Sequence, residues 1–233
     1  NVFTIHYPDE EREEGRPLRQ APCYDRLKEL GAVFGQRFGW ERANWFAPSK
    51  DLQKDDWSFR RSKWFEHVGN ECKNVSENAG LLDMSAFAKC RISGPGAEEF
   101  LDYLVANKIP KKNGRVNLCH ALNTAGGVHS EFTIAKEKEN SFYLVSAGAF
   151  QRLDHDWIHK WMPKDGSVTY ENLTNSMGVL VLAGPKSRDI LSKITRTDLS
   201  NKNFPWLSSK KINVGLAPSI AMRMNFVGEL GWE

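Results

Sequence analysis

An α+β fold is the class this sequence predicts, and three observations carry the prediction. A short β-rich run, Phe87 to Ile92, passes through Ser93-Gly94-Pro95-Gly96 into a segment patterned as a helix. The design recurs later, where the apolar run Val179–Ala183 passes through Gly184-Pro185 into a second helical pattern. Between the two units lie the β-rich runs Glu131–Ala135 and Phe142–Val145, separated by the charged stretch Lys136–Asn140, which is the pattern of a hairpin.

Residues 1–60 are rich in charge, proline and aromatic side chains, and their spacing predicts one helix. Pro22 stands near its start, Leu27 and Leu30 share a face, and Gly31 is its stop. The aromatics Phe38, Trp40, Trp45, Phe46, Trp57, Phe59, Trp64 and Phe65 are too large to leave in water, because each such ring buries about 150–250 Å² in a core. They cover either the region that follows or another domain. From Trp64 onward, Phe65, Val68, Cys72, Val75 and Ala79 fall on one helical face that Gly80 ends. The helix after Gly96 carries Ala97, Phe100, Leu101 and Leu104 as its apolar stripe, and the one after Pro185 carries Ile190, Leu191 and Ile194. A further helix spans Phe150 to Trp161 with Leu153, Trp157 and Trp161 inward, and Pro163 stands just past its end. Ile220–Val227 alternates like a strand and breaks at Gly228-Glu229-Leu230-Gly231.

Composition narrows the function classes. The chain has 233 residues, of which 40% are hydrophobic, enough for a real core. Its net charge of +3 comes from scattered basic residues, so no nucleic-acid partner is expected. Cys23, Cys72, Cys90 and Cys119 form no C-x-x-C pair, which reads as free thiols in a reducing compartment and excludes a zinc ribbon. The sequons at Asn74 and Asn172 have no secretory context, and an intracellular protein is expected. No apolar run approaches the roughly 18 residues of a membrane-spanning helix, so no membrane partner is expected. The chain starts without Met and stops on Glu233, which reads as an excerpt of something longer.

Several motifs carry possible chemistry. Gly94-Pro95-Gly96 stands where a dinucleotide-binding turn would, but Glu99 occupies the third glycine position and Pro95 removes a donor, so it reads as a tight turn. His155 and His159 have the i, i+4 spacing of a zinc pair. Asp156 replaces the expected glutamate and no third ligand follows, so they read as a solvated face opposite Trp157 and Trp161, with no metal. Asn123-Thr124-Ala125-Gly126-Gly127-Val128-His129-Ser130-Glu131 uses a double-glycine turn to deliver a carboxylate at the head of a strand. The run Phe226-Val227-Gly228-Glu229-Leu230-Gly231-Trp232-Glu233 brackets two acids with glycines.

Taken in order, these residues resemble a known family. Arg16-Pro17-Leu18-Arg19, Tyr24-Asp25-Arg26-Leu27-Lys28, Phe38-Gly39-Trp40-Glu41-Arg42, Asn44-Trp45-Phe46-Ala47-Pro48 and Trp64-Phe65-Glu66-His67-Val68-Gly69-Asn70-Glu71-Cys72 look like the connector and its continuation in dimethylglycine and sarcosine dehydrogenases. Leu82-Asp83-Met84-Ser85, Phe87-Ala88-Lys89, Ala106-Asn107, Asp198-Leu199-Ser200-Asn201, Phe204-Pro205 and Val227 to Glu233 continue the match. The resemblance implies an aminomethyltransferase-like folate-binding fold, as in the glycine-cleavage T-protein, multi-lobed and truncated before its third lobe. On this reading residues 1–60 are the tail of an FAD oxidoreductase half and its linker, 61–170 the first folate lobe, and 171–233 an incomplete second lobe.

The resemblance implies tetrahydrofolate as cofactor, FAD in an N-terminal half, and an N-methyl amine as substrate. The partners are then folate, the amine and the FAD domain of the same full-length chain, in the mitochondrial matrix or the bacterial cytoplasm. No flavin fingerprint stands in these residues. Flavin takes a hydride from an N-methyl group, and the iminium carbon passes to tetrahydrofolate as a methylene bridge. Glu131 is implied as the catalytic carboxylate that accepts a proton and steadies the cationic intermediate, because folate nitrogens attack only as neutral amines. Glu233 matches the glutamate that accepts the pterin N3–H and 2-amino group together. Phe226 stands where aminomethyltransferases have a tyrosine beside the pterin, and Glu229 and Phe87 complete the folate-binding set. Ser130 and Ala147 depart from the aminomethyltransferases, which have an aspartate and an asparagine there. Two alternatives belong to the same architecture: a non-catalytic relative such as the regulatory subunit of pyruvate dehydrogenase phosphatase, and a stand-alone aminomethyltransferase. Glu131 and the Gly228–Glu233 run favour an active folate site over the former, and the connector in residues 1–60 speaks against the latter.

Overall fold

The computed structural model describes residue 3, residues 5–225 and residues 228–233. The expected N-terminal helix is α1 (Tyr24–Glu29), and Gly31 follows in a left-handed conformation with φ +95°. The sequence did not announce what comes next, an antiparallel hairpin of β1 (Ala32–Arg37) and β2 (Trp40–Phe46). Its two-residue turn has positive φ at both Phe38 and Gly39, a requirement usually advertised by Asn-Gly and hidden here by phenylalanine. Val33, Trp45 and Ala47 pack against Trp64 and Val68 of α2 (Trp64–Glu77), so part of the aromatic cluster covers that helix. Phe38, Phe59 and Phe65 stay exposed, and Phe65 thus leaves the face predicted for it.

Two sheets follow. One has the order β5-β6-β7-β4-β8, all antiparallel, from β4 (Ala88–Ser93), β5 (Val116–Leu122), β6 (Val128–Lys138), β7 (Ser141–Ser146) and β8 (Thr169–Asn172). The other has the order β12-β9-β3, from β3 (Gly80–Asp83), β9 (Leu180–Ala183) and β12 (Gly231–Trp232). A second hairpin, β10 (Ser208–Val214) with β11 (Ala217–Arg223), stands beside them. The predicted β6–β7 hairpin is longer than its apolar runs, and its turn shrinks to Glu139-Asn140, where Asn140 takes φ +54°.

Helices α3 (Ala97–Leu104) and α4 (Gln151–Trp161) cover one face of the larger sheet. Phe100, Leu101, Leu104 and Ile158 there meet Ile92, Phe132, Ile134, Phe142 and Leu144. The opposite face buries Val116, Ala135, Tyr143 and Val145 against Leu173 and Met222. Coverage on both sides explains why Phe142–Val145 reads as continuous apolar sequence rather than alternating. In α4 the inward stripe is Asp154, Trp157, Ile158 and Trp161, while Leu153 is exposed. An acid on the core face displaced the predicted register, and the Ser146 hydroxyl donates to Asp154 Oδ2 at 2.6 Å. The second unit's helix α5 (Ser187–Ser192) is also shorter than predicted: Leu191 is buried, whereas Ile190 and Ile194 face outward.

The two strand–turn–helix units share one backbone device. Gly94 and Gly184 take φ +115° and +119°, and each carbonyl accepts the N–H three residues on, from Ala97 and Ser187, both at 3.0 Å. A Cβ on Gly184 would lie 2.6 Å from the carbonyl oxygens of both Val75 and Asn78 at the end of α2. Gly184→Ala is therefore expected to destabilise the fold by more than about 1 kcal/mol in urea titration. Gly166→Ala, at φ +79° with open space around it, is expected to cost less.

Candidate functional site

A cavity of about 830 Å³ opens between the larger sheet, the turn that follows β8 and the β10–β11 hairpin. Its floor is Tyr143 of β7, which projects from the sheet face opposite α3 and α4. One wall is the turn Ser176–Val179, pinned from below by a polar network. The Lys89 and Leu173 backbones bond each other through Leu173 N–H at 2.8 Å, the Lys89 N–H donates to Thr174 Oγ1 at 3.1 Å, and the Val179 N–H donates to Ser85 Oγ at 3.0 Å. Lys89 is almost wholly buried and gives its ammonium to the Ser85 carbonyl at 2.7 Å; burial lowers its pKa to about 8.

The opposite wall is one face of the hairpin. Strand alternation sends Lys211, Asn213, Pro218, Ile220 and Met222 toward the cavity, while Ile212 and Ala221 pack on Phe204 and Trp232 behind it. Glu233 also lines the cavity. Its main chain exchanges two hydrogen bonds with Met222, at 2.7 and 2.9 Å, so both side chains leave the same face. No hydrogen bond or ion pair joins the Glu233 carboxylate to another described residue, and burial raises its pKa. The Tyr143 phenol is pushed well up, first by its own burial and then by the charge of Glu233.

The other residues singled out from sequence are placed differently. Glu131 is exposed, with Oε2 3.0 Å from His120 Nε2 across the β5–β6 pair. It shares the cavity-side face of β6 with Ala135, yet it stands outside the cavity lining. Ser130, one residue earlier, points to the other face, where it is buried with Oγ 2.8 Å from His129 Nδ1. Phe87 packs beside Tyr143 and Met177 but lines a separate recess of about 170 Å³, with Arg42 and Ala147. Glu229 is half-buried ahead of β12, outside the large cavity. Phe226 lies outside the described residues.

The helix face of His155 and His159 is solvated in part, with His159 exposed and His155 half-buried. Their rings stack at 3.9 Å and both meet Tyr170 edge-on, at 5.3 and 4.7 Å. Among the described residues no three His, Cys, Asp or Glu side chains gather as metal ligands, and no helix is long and apolar enough to cross a membrane. The lining residues Tyr143, Met177, Lys211 and Met222 were not legible as site residues. Tyr143 sat in an apolar run with no face marked, and the Ser208–Val214 segment is too polar to advertise a strand.

A family model described as the GCVT N-terminal domain matches residues 23–233. Mouse mitochondrial dimethylglycine dehydrogenase is 39% identical over 232 residues, covering 98% of this chain and 26% of that protein. The mouse mitochondrial pyruvate dehydrogenase phosphatase regulatory subunit is 33% identical over 237 residues, covering 99% of this chain and 27% of that protein. The chain thus spans about a quarter of the length of these relatives. Among solved structures, the glycine cleavage system aminomethyltransferase T of Bartonella henselae superposes with a TM-score of 0.73 at 21% identity, covering 92% of this chain and 52% of that one. The match over residues 23–233 and the shared α+β architecture place the chain in the GCVT N-terminal domain family, as an aminomethyltransferase-like domain related to the dimethylglycine and sarcosine dehydrogenases.

Proposed function

We propose that this chain is the tetrahydrofolate-binding part of an FAD-dependent dimethylglycine/sarcosine-type dehydrogenase, in which the one-carbon unit of an oxidised N-methyl amine passes to tetrahydrofolate as 5,10-methylenetetrahydrofolate. The observation that carries the reading is Glu233, a carboxylate in the cavity lining without a hydrogen-bond or ion-pair partner among the described residues. A reduced pterin offers N3–H and a 2-amino group side by side, and one carboxylate accepts both. Tyr143, Met177, Ile220 and Met222 supply apolar surface around such a ring. A volume of about 830 Å³ falls in the usual ligand range of about 300–1,000 Å³.

Glu131, exposed on the cavity-side face of β6 but outside the cavity lining, would take the proton released when a folate nitrogen bonds to carbon, and pass it directly to solvent. Phe87 acts from behind the cavity, packed beside Tyr143 and Met177, the pterin contact implied for Phe226 falls outside the described residues, and Glu229 precedes the strand β12 that delivers Glu233. The flavin belongs to another part of the full-length protein, and that part chooses the amine. The regulatory-subunit relative makes the second reading a non-catalytic domain, which absence of folate binding would favour.

Glu233→Gln in the full-length protein is expected to weaken tetrahydrofolate binding by about 1.5–3 kcal/mol, the scale of a hydrogen bond to a charged group, as read by calorimetry. Wild-type affinity is expected to strengthen as pH rises through the elevated Glu233 pKa, because the ionised form accepts both donors, and the glutamine variant is expected to lose that dependence. Stability runs the other way. The unfolded chain ionises Glu233 at lower pH than the folded one, so its contribution is full below the unfolded pKa and is lost as pH rises through the folded pKa. Without ligand, Glu233→Gln is therefore expected to melt higher than wild type at neutral pH and to converge with it below the unfolded Glu233 pKa, and equal midpoints at neutral pH would contradict the assignment.

A further inference from the structure

Glu233 is the acid of the cavity lining and Lys211 is its cation. They project from one surface, because Glu233 pairs with Met222, Met222 pairs with Ser209, and Lys211 stands two residues along β10 from Ser209. Two strand spacings across and two residues along put their Cα atoms about 12 Å apart. That is too far for the two side chains to neutralise each other, and no ion pair joins Lys211 to any described carboxylate. The neighbouring Lys210 is turned the other way, with its ammonium 5.5 Å from the Phe204 ring, so only one of the two adjacent lysines serves the cavity. The side chains between the two charges, such as Ile220 and Met222, are apolar.

A cavity lined by an acid and, about 12 Å away across apolar side chains, a cation fits a ligand of the reverse polarity. Such a ligand carries N–H donors at one end, a flat apolar spacer, and an anion at the other. We infer that Lys211 is a specificity-determining residue that reads the tail carboxylates of the folate, so that the site discriminates a carboxylated, tailed pterin from the bare ring. The inference rests on the pterin reading of Glu233 and adds the far end of the ligand to it. The cavity is larger than a single bicyclic ring fills, which leaves room for the spacer.

The test measures calorimetric affinities of the full-length protein, wild type, Lys211→Ala, Lys211→Glu and Glu233→Gln, for tetrahydrofolate and for 6-methyltetrahydropterin, which has the ring and no tail. Lys211→Ala is expected to lower tetrahydrofolate affinity about two- to fivefold, the scale of a partly exposed ion pair. Lys211→Glu is expected to lower it further, with the difference from wild type shrinking as salt is added. Both variants are expected to bind 6-methyltetrahydropterin as wild type does. Unchanged tetrahydrofolate affinity in Lys211→Glu, with Glu233→Gln still weakening both ligands, would overturn the role of Lys211 and leave the pterin site standing. Equal loss of both ligands in the Lys211 variants would overturn it as well, since the lysine would then shape the cavity rather than read the tail. Binding of both ligands that ignores Glu233 would remove the pterin reading and this inference together.

Discussion

The two hydrogen bonds exchanged by the Glu233 and Met222 backbones are the constraint on which the site depends. Met222 belongs to the β10–β11 hairpin, while Glu233 directly follows β12 of the smaller sheet, so this pair stitches two separate β-layers at one point. Gly231 keeps β12 close against β9 within the smaller sheet, since a Cβ there would lie 2.9 Å from the Leu182 carbonyl oxygen. Without the stitch, the hairpin wall and the acid would have no fixed relation. With it, a carboxylate is held in a half-apolar cavity where water solvates it poorly.

The larger sheet supplies the rigid side of the arrangement. Its α3/α4 face is a conventional apolar core, whereas its other face mixes Val116, Val145 and Tyr143 with the buried ammonium of Lys89. Lys89 is tolerated because the Ser85 carbonyl accepts from it, and the same serine's hydroxyl holds Val179 in the cavity wall. Burial costs of two opposite charges, Lys89 below the wall and Glu233 at its end, are thus met in different ways. The lysine is satisfied by the Ser85 carbonyl, and the glutamate has no partner among the described residues.

Much of the fold was legible because its signals are local. The glycine turns at Gly94 and Gly184, the apolar stripe of α3 and the β6–β7 hairpin all follow from spacing within a dozen or so residues. What stayed hidden depends on partners far along the chain. The β1–β2 turn uses a phenylalanine at positive φ, Asp154 occupies a core position because Ser146 meets it, and β10 is polar because one of its faces lines a cavity. Glu233 was singled out through the family resemblance of its glycine-bracketed motif, and it lines the large cavity. Lys211 was not, since nothing in Ser208–Val214 distinguishes it from Lys210 until the strand's faces are known.

The β3–β9 pairing carries a consequence for how the two strand–turn–helix units relate. The edge strand β3 precedes the larger sheet in the chain, yet its hydrogen-bonding partner arrives only after that sheet is complete. Polypeptide halves severed in the loop between β8 and β9 would each bare an open strand edge, and each edge is the template for the other. Counting repeated strand–turn–helix units overstates modularity here: the units are interlocked, and neither is self-sufficient.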